Sequence, residues 1–494
     1  MDQTQSSYRS IIKSTSIFGG VQVLTILISI IRSKLIAVFL GVSGMGVIGL
    51  FNTTIALISG ISNCGLGISA VRDVSAANST NNQNSVEIIV AVIRRWVWIT
   101  GALGALIVIV SAPWLSKIAF GNNEYIYSFV LISITLLFNQ LNVGQLVVMQ
   151  GLQKIKYLAK ASLFGSILGL LFSMPLYLLF GKQGIVPSLI ISSFISYIIS
   201  WYFAKKIELK KRKVSYKVAF LEGKSMLKSG FVISISGLLL TFTTYLLQLF
   251  IRNEGGVDQV GLFTAGFAIV NVYVGMVFTA MSTDYFPRLS AISDSNIACK
   301  NTINQQAEIS ILILGPIIVA FLIFMKLIII VLYSNKFAGI EEMLLWLAIA
   351  TFFKAGSWAI AFLLLAKGAS KLFFWNELAA NIYVLILNIS GYYFFGLTGL
   401  GIASIIAYVI YFIQVFLVCK LKYDFSLDKT FLKTFIIQFA LATICVFAIK
   451  LTTTPYSHGI GAVLLMLSIV HSYQELNKKL NIKEFFKNYK KLKS

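Results

Sequence analysis

The chain has 494 residues, 57% of them hydrophobic and 12% charged, with a mean hydropathy of +0.85. A soluble domain carries about 25% charge, so a soluble globular class is excluded. The net charge of +23 would suit a nucleic-acid binder in a soluble chain; here it reads as the cytoplasmic-loop bias of a membrane protein, with no nucleic-acid partner expected.

Continuous apolar runs of about 20 residues predict an all-α polytopic membrane protein rather than a barrel, whose residues would alternate. The polar opening MDQTQSSYRSIIKS, followed by a run long enough to span, argues against a cleaved signal peptide. About 14 spans are predicted. They lie near 15–40, 44–70, 88–112, 126–149, 161–180, 184–204, 229–251, 260–285, 309–333, 341–366, 372–395, 398–419, 432–451 and 456–473.

Between the sixth and seventh lies the stretch KKIELKKRKVSYKVAFLEGKSMLK, residues 205–228. Nine Lys or Arg crowd into it, and such a cluster stays in the cytoplasm. With the N-terminus also inside, most of the 41 Lys and Arg fall in inner segments, and the outer ones hold only Lys117, Lys182, Arg252, Lys336 and Lys450. Both termini are therefore expected in the cytoplasm.

The two sides of the basic stretch repeat. GVSGMG (Gly41–Gly46) reappears as GVDQVG (Gly256–Gly261), and FGKQG (Phe180–Gly184) as FGLTG (Phe395–Gly399), both displaced by 215 positions. The expected organisation is a six-helix bundle over 1–204, a basic linker over 205–228 and a second six-helix bundle over 229–419, the bundles related by a parallel repeat. Two further helices and a basic tail follow over 420–494. The tail, from Gln474, mixes lysines with Leu476, Leu480, Phe485, Phe486 and Tyr489; it reads as an amphipathic helix on anionic lipid or as a solvated topogenic segment.

Four separated cysteines (Cys64, Cys299, Cys419, Cys445) and two late histidines (His458, His471) offer no metal spacing and no Ser/His/Asp triad. No metal site, no cofactor and no catalysis are expected. No GxxxxGKS phosphate loop is present, which argues against an ATPase.

Ionisable residues within spans are costly and mark function. Arg32 and Lys34 lie late in the first span, Lys326 in the ninth, Lys354 near the middle of the tenth and Glu377 early in the eleventh; Asp284 closes the eighth. The excess is positive, so an anionic passenger is expected. Each has an alternative. Arg32 and Lys34 point about 200° apart, so one can reach the interface; Lys326 can snorkel; Glu377 can pair with Lys371. Lys354, about twelve residues from either end, is the hardest to explain away. The repeat places Asn139, beside Gln140, opposite Lys354 in register. These amides suit a sugar, or staple helix to helix. Arg72 and Asp73 correspond to Asp284 and Arg288 as a candidate inner gate or as interface anchors.

The stretches KLIAVFLGVSGMGVIGLF (Lys34–Phe51) and YSNKFAGIEEMLLWLAIATFFKAGSWAIAFLLLAKGASK (Tyr333–Lys371), with PRLS at Pro287–Ser290, resemble the polysaccharide-transport branch of the multidrug/oligosaccharidyl-lipid/polysaccharide exporter superfamily. Within it the likeness is greatest to O-antigen and enterobacterial-common-antigen lipid-linked oligosaccharide flippases. The resemblance runs over about residues 10–420. It implies a protein of the bacterial inner membrane that moves an undecaprenyl-diphosphate-linked oligosaccharide to the outer leaflet by alternating access around a cationic central cavity. Lys34 and Lys354 fall where that family shows Lys. Membrane lipids, a polysaccharide polymerase and chain-length machinery are the implied partners. Asp284, Arg32 and the last two spans depart from the family pattern. Coupling to H⁺ or Na⁺ stays open through Asp73, Asp284 or Glu377. Two rivals remain: a cation-coupled multidrug exporter of the same superfamily, and a membrane-embedded polysaccharide polymerase or ligase.

Overall fold

The computed structural model describes residues 21, 23–80, 82–210, 212, 214–453 and 456–480. The basic tail beyond residue 480 and the first residues of the first predicted span lie outside them. Helix α1 covers 23–39. Then follow α2 (Gly41–Asn63), α3 (Leu66–Ser79), α4 (Gln83–Phe120), α5 (Ile126–Gly151), α6 (Ile155–Phe180), α7 (Ile185–Lys205) and α8 (Tyr216–Ala268). A π-helical turn, Ile269–Val274, leads into α9 (Gly275–Ala291) and α10 (Asn296–Ile323). The chain closes with α11 (Met325–Leu332), α12 (Glu341–Ala366), α13 (Ser370–Tyr423), α14 (Lys429–Leu451) and α15 (Tyr456–Leu480). No strand occurs among the described residues. Ten helical stretches among them are long and apolar enough to cross a membrane, and the chain is an integral membrane protein.

Several stretches are too long for one crossing. Ile155–Lys205 has 51 residues and Ser370–Tyr423 has 54; at 1.5 Å per residue each would reach about 75–80 Å, against a hydrocarbon core of about 30 Å. Glycines divide them. Gly181 (φ 53, ψ −129) sits between α6 and α7, and Gly396 (φ 58, ψ −140) bends α13. Gly41 (φ 68) precedes α2, and Gly256 (φ 79) breaks α8. Left-handed backbone is the conformation glycine adopts without a Cβ clash.

These are the glycines of the sequence repeat, and the backbone carries the same 215-residue offset. A third pair joins them. Gln153 (φ 55) and Gly368 (φ 67) are both left-handed. They close the same kind of helix end: Lys154 N–H donates to Met149 O at 2.8 Å, and Ala369 N–H to Leu364 O at 2.9 Å. A fourth is steric. A Cβ at Gly184 would overlap the carbonyl of Leu176, and one at Gly399 the carbonyl of Gly391.

Contacts within the chain divide it into two compact units. One comprises residues up to Gly261 with Leu332–Ser334; the other comprises Leu262–Val331 and Asn335 onward. The core of the first gathers Leu66, Ala70 and Val74 of α3, Val90, Ile93 and Val97 of α4, and Leu141 and Val148 of α5. In the second, Tyr285 is fully buried against Trp358 and Phe362 and donates to Ala359 O at 2.6 Å. The final helix pair is built into this second unit. Asn304 of α10 donates to Ser426 O at 2.9 Å and accepts from Asp428 N–H at 2.8 Å. Thr434 donates to the buried Glu308 at 3.3 Å, and Gln438 exchanges hydrogen bonds with Ser468 and Ser472.

Candidate functional site

Lys354 lies near the middle of α12, whose first turn carries Glu341 and Glu342, acids that suit a helix N-terminus. The Lys354 ammonium donates to Asn271 Oδ1 at 3.0 Å. It faces two rings, Tyr408 of α13 at 5.6 Å and Phe278 of α9 at 5.9 Å. Asn271 comes from the π-helical turn, an irregularity that often serves to aim a side chain at a functional site. Among the described residues no carboxylate lies within ion-pair distance of Lys354. The charge is held by an amide and two aromatic faces, a setting that orients an ammonium without neutralising it.

Glu377, in the first turns of α13, has the opposite character. Its carboxylate accepts from Tyr411 at 2.5 Å and from Asn376 at 3.4 Å, and Gln414 anchors Asn376 at 2.8 Å. All of its donors in this set are neutral, and Lys371 makes no ion pair with it among the described residues.

In the first unit, Lys34 and Arg32 diverge as their spacing predicts. Lys34 donates to Tyr333 O at 2.6 Å. Arg32 reaches toward α6, its Nη2 resting beside Gly169; its Nε is buried without a hydrogen-bond partner among the described residues. Gln140 is buried and donates to Thr100 at 3.0 Å, joining α5 to α4, while Asn139 beside it is exposed. Arg72 pairs with its neighbour Asp73 at 2.9 Å. Asp284 and Arg288 stand one turn apart at 3.8 Å, Arg288 also donating to Gln306. Lys326 is exposed and lies 3.7 Å from Glu341.

Sequence reasoning treated the basic stretch 205–228 as topogenic charge and missed that it is clasped. Glu87 of α4, almost fully buried, accepts from Arg212 Nε at 3.0 Å and from Lys210 N–H at 3.3 Å. Arg212 also meets Asn84, Arg95 donates to Val214 O at 3.2 Å, and the Trp96 indole N–H donates to Ala219 O at 2.7 Å. A lone acid in a basic, apolar surrounding was the available signal, but its partner lies 125 positions away. Glu87→Ala is expected to cost about 1.5–3 kcal/mol, the worth of hydrogen bonds to a charged group. Limited proteolysis checks it: cleavage near residues 206–214 should accelerate, with helix content unchanged.

The fold is that of multi-span helical transporters. It matches a solved lipid II flippase, MurJ, in an inward closed conformation, with a TM-score of 0.70 and 14% identity over 94% of this chain and 99% of that one. It also matches an inward-facing multidrug resistance MATE family transporter of the MOP superfamily, with a TM-score of 0.66 and 15% identity over 81% of this chain and 94% of that one. A family model described as polysaccharide biosynthesis protein matches residues 35–342, more than half of the sequence, and the chain belongs to that family. Among curated proteins it is 22% identical to the lipid III flippase of Escherichia coli (strain K12), over 77% of this chain and 91% of that protein. The lipid III flippase of Shigella flexneri matches equally.

Proposed function

We propose that this protein is a flippase for a lipid-linked oligosaccharide, moving it from the cytoplasmic to the outer leaflet of the bacterial inner membrane. The reading agrees with the family and with the lipid III flippases that match most of the chain. The observation that carries it is Lys354, a mid-helix ammonium held by an amide and rings and left without a carboxylate among the described residues. A cation so placed is costly unless an anion meets it. A diphosphate supplies that anion, and aromatic faces such as Tyr408 and Phe278 suit the sugars beside it. Lys34 and Arg32 are the proposed further cationic contacts, and Asn139 a sugar contact. The O-antigen repeat unit is the proposed passenger class, about 14 spans and cytoplasmic termini the proposed topology, and transport rather than catalysis the activity. A polymerase and chain-length machinery are the proposed downstream partners.

Outward movement of about two negative charges is favoured by roughly 5 kcal/mol per 100 mV, inside negative. The potential alone can therefore drive the step. Coupling to H⁺ or Na⁺, if used, is assigned to Glu377, because Asp73 and Asp284 each have an arginine at hand.

Depletion of the protein in its own cell tests the reading. The expected result is an undecaprenyl-diphosphate-linked oligosaccharide accumulating in the inner leaflet, seen by mass spectrometry of extracted lipids and by its inaccessibility to an external glycosidase. An unchanged lipid-linked pool would overturn it.

A further inference from the structure

The clasp on Glu87 leaves an outward face of the basic stretch exposed among the described residues. Helix α8 starts at Tyr216, well before its membrane-length apolar segment, Ser234–Asn271. Opposite sides of these early turns differ in character. Ala219, Gly223, Met226 and Gly230 recur at helical spacing and are buried. A Cβ at Gly223 would strike the Trp96 ring, so the helix backbone lies directly on α4. Lys217, Lys224 and Lys228 lie on the other side, within about 20° of one line, all exposed. Between them stand Phe220 and Leu221, 57% and 60% exposed.

The end of α7 repeats this chemistry. Lys206 sits over the Tyr202 ring at 4.5 Å, and Lys205 over Trp201 at 5.3 Å, with both rings about half exposed. Glu208 and Glu222 are the only acids in the stretch 205–228. A solvated topogenic loop needs lysines but gains nothing by presenting Phe, Leu, Trp and Tyr among them. Lysine interleaved with exposed aromatic and aliphatic side chains is the composition of an interfacial segment.

We propose that this face, carried by Lys205 and Lys206 of α7 and by Lys217, Lys224 and Lys228 with Phe220 and Leu221 of α8, docks on anionic phospholipid headgroups of the surrounding membrane. Positive charge selects the lipid, the apolar side chains set the depth, and the Glu87 clasp holds the face in one orientation. The site is distinct from the passenger site proposed above and stands or falls separately from it.

The full chain purified in detergent provides the test. Phosphatidylglycerol is expected to raise its melting temperature by several degrees more than phosphatidylcholine does, and native mass spectra to show bound phosphatidylglycerol. In the triple variant Lys217→Gln, Lys224→Gln, Lys228→Gln, the phosphatidylglycerol-specific rise should fall by at least half, while the melting temperature in phosphatidylcholine stays unchanged. Phe220→Ser with Leu221→Ser should lower the rise in both lipids. Lys336→Gln, at an exposed lysine far along the chain, should leave it intact. A full phosphatidylglycerol response in the triple variant, whether another partner or none uses these lysines, would overturn the proposal.

Discussion

Lys354→Ala is expected to reduce flipping by about ten- to a hundredfold, the loss that follows when a charged hydrogen bond worth roughly 1.5–3 kcal/mol disappears. Lys354→Met should do the same, because it keeps the volume and removes the charge. Lys354→Arg should retain a fraction of the activity: it keeps a cation but replaces a compact ammonium with a planar fork. The residue is well inside a helix of 26 residues, roughly 18 Å from either end at 1.5 Å per residue, beyond the reach of snorkelling. Its role in stability should be slight. Among the described residues only Asn271 and two ring faces depend on it, so melting temperatures of all three variants should stay close to the parent. Surface polysaccharide in cells, and transfer of a fluorescent diphosphate-linked lipid in proteoliposomes, give the two readouts. Full-length polymer made by the alanine variant at normal protein levels would reject the anion-site role.

The class and the repeat were legible because both rest on local, additive signals. Apolar runs give helices of membrane length, and glycines at one offset give the repeat. The repeat was visible through Gly41, Gly181, Gly256 and Gly396, where the backbone demands a residue without a Cβ. Gln153 escaped the same reading: a non-glycine residue in the left-handed region leaves no mark in sequence. Only its partner, Gly368, carries the signature, and the 215-residue offset from it leads back to Gln153. The side-chain partners were less legible. Nothing local tells that Glu87 will seek Arg212, that a π-helical turn will bring Asn271 to Lys354, or that Gln140 will bond to Thr100. Each pairing joins separate helices, and one sequence fixes which residues are polar without fixing which of them meet. The diverging directions of Arg32 and Lys34 were readable because they follow from helix geometry alone.

Gly46→Val and Gly261→Val are each expected to destabilise the protein by about 2–3 kcal/mol, in the range of core overpacking. The two positions correspond in the repeat and pack reciprocally: a Cβ at Gly46 would run into Val257 O, and one at Gly261 into Val42 O. The obstacle is backbone in both cases, so no rotamer change relieves it and the helices themselves must separate. Small residues at close helix approaches are the usual means of packing in lipid. The corner between α2 and α3 makes a second such approach to α8, where Gly65 and Gly230 each face the other's carbonyl. Gly41 and Gly256 provide the contrast. An added Cβ there meets nothing within 4 Å among the described residues, so Gly→Ala costs only the penalty of a positive-φ backbone, about 1–3 kcal/mol. The two kinds of glycine should also combine differently. Once Gly46→Val has forced the backbones apart, Gly261→Val finds some of its room already made, and the double variant should cost less than the sum of the singles. Gly41→Ala and Gly256→Ala share no such contact and should add. Thermal unfolding of the solubilised variants separates these outcomes, and strict additivity for the Gly46 and Gly261 pair would mean that the two contacts do not share one helix approach.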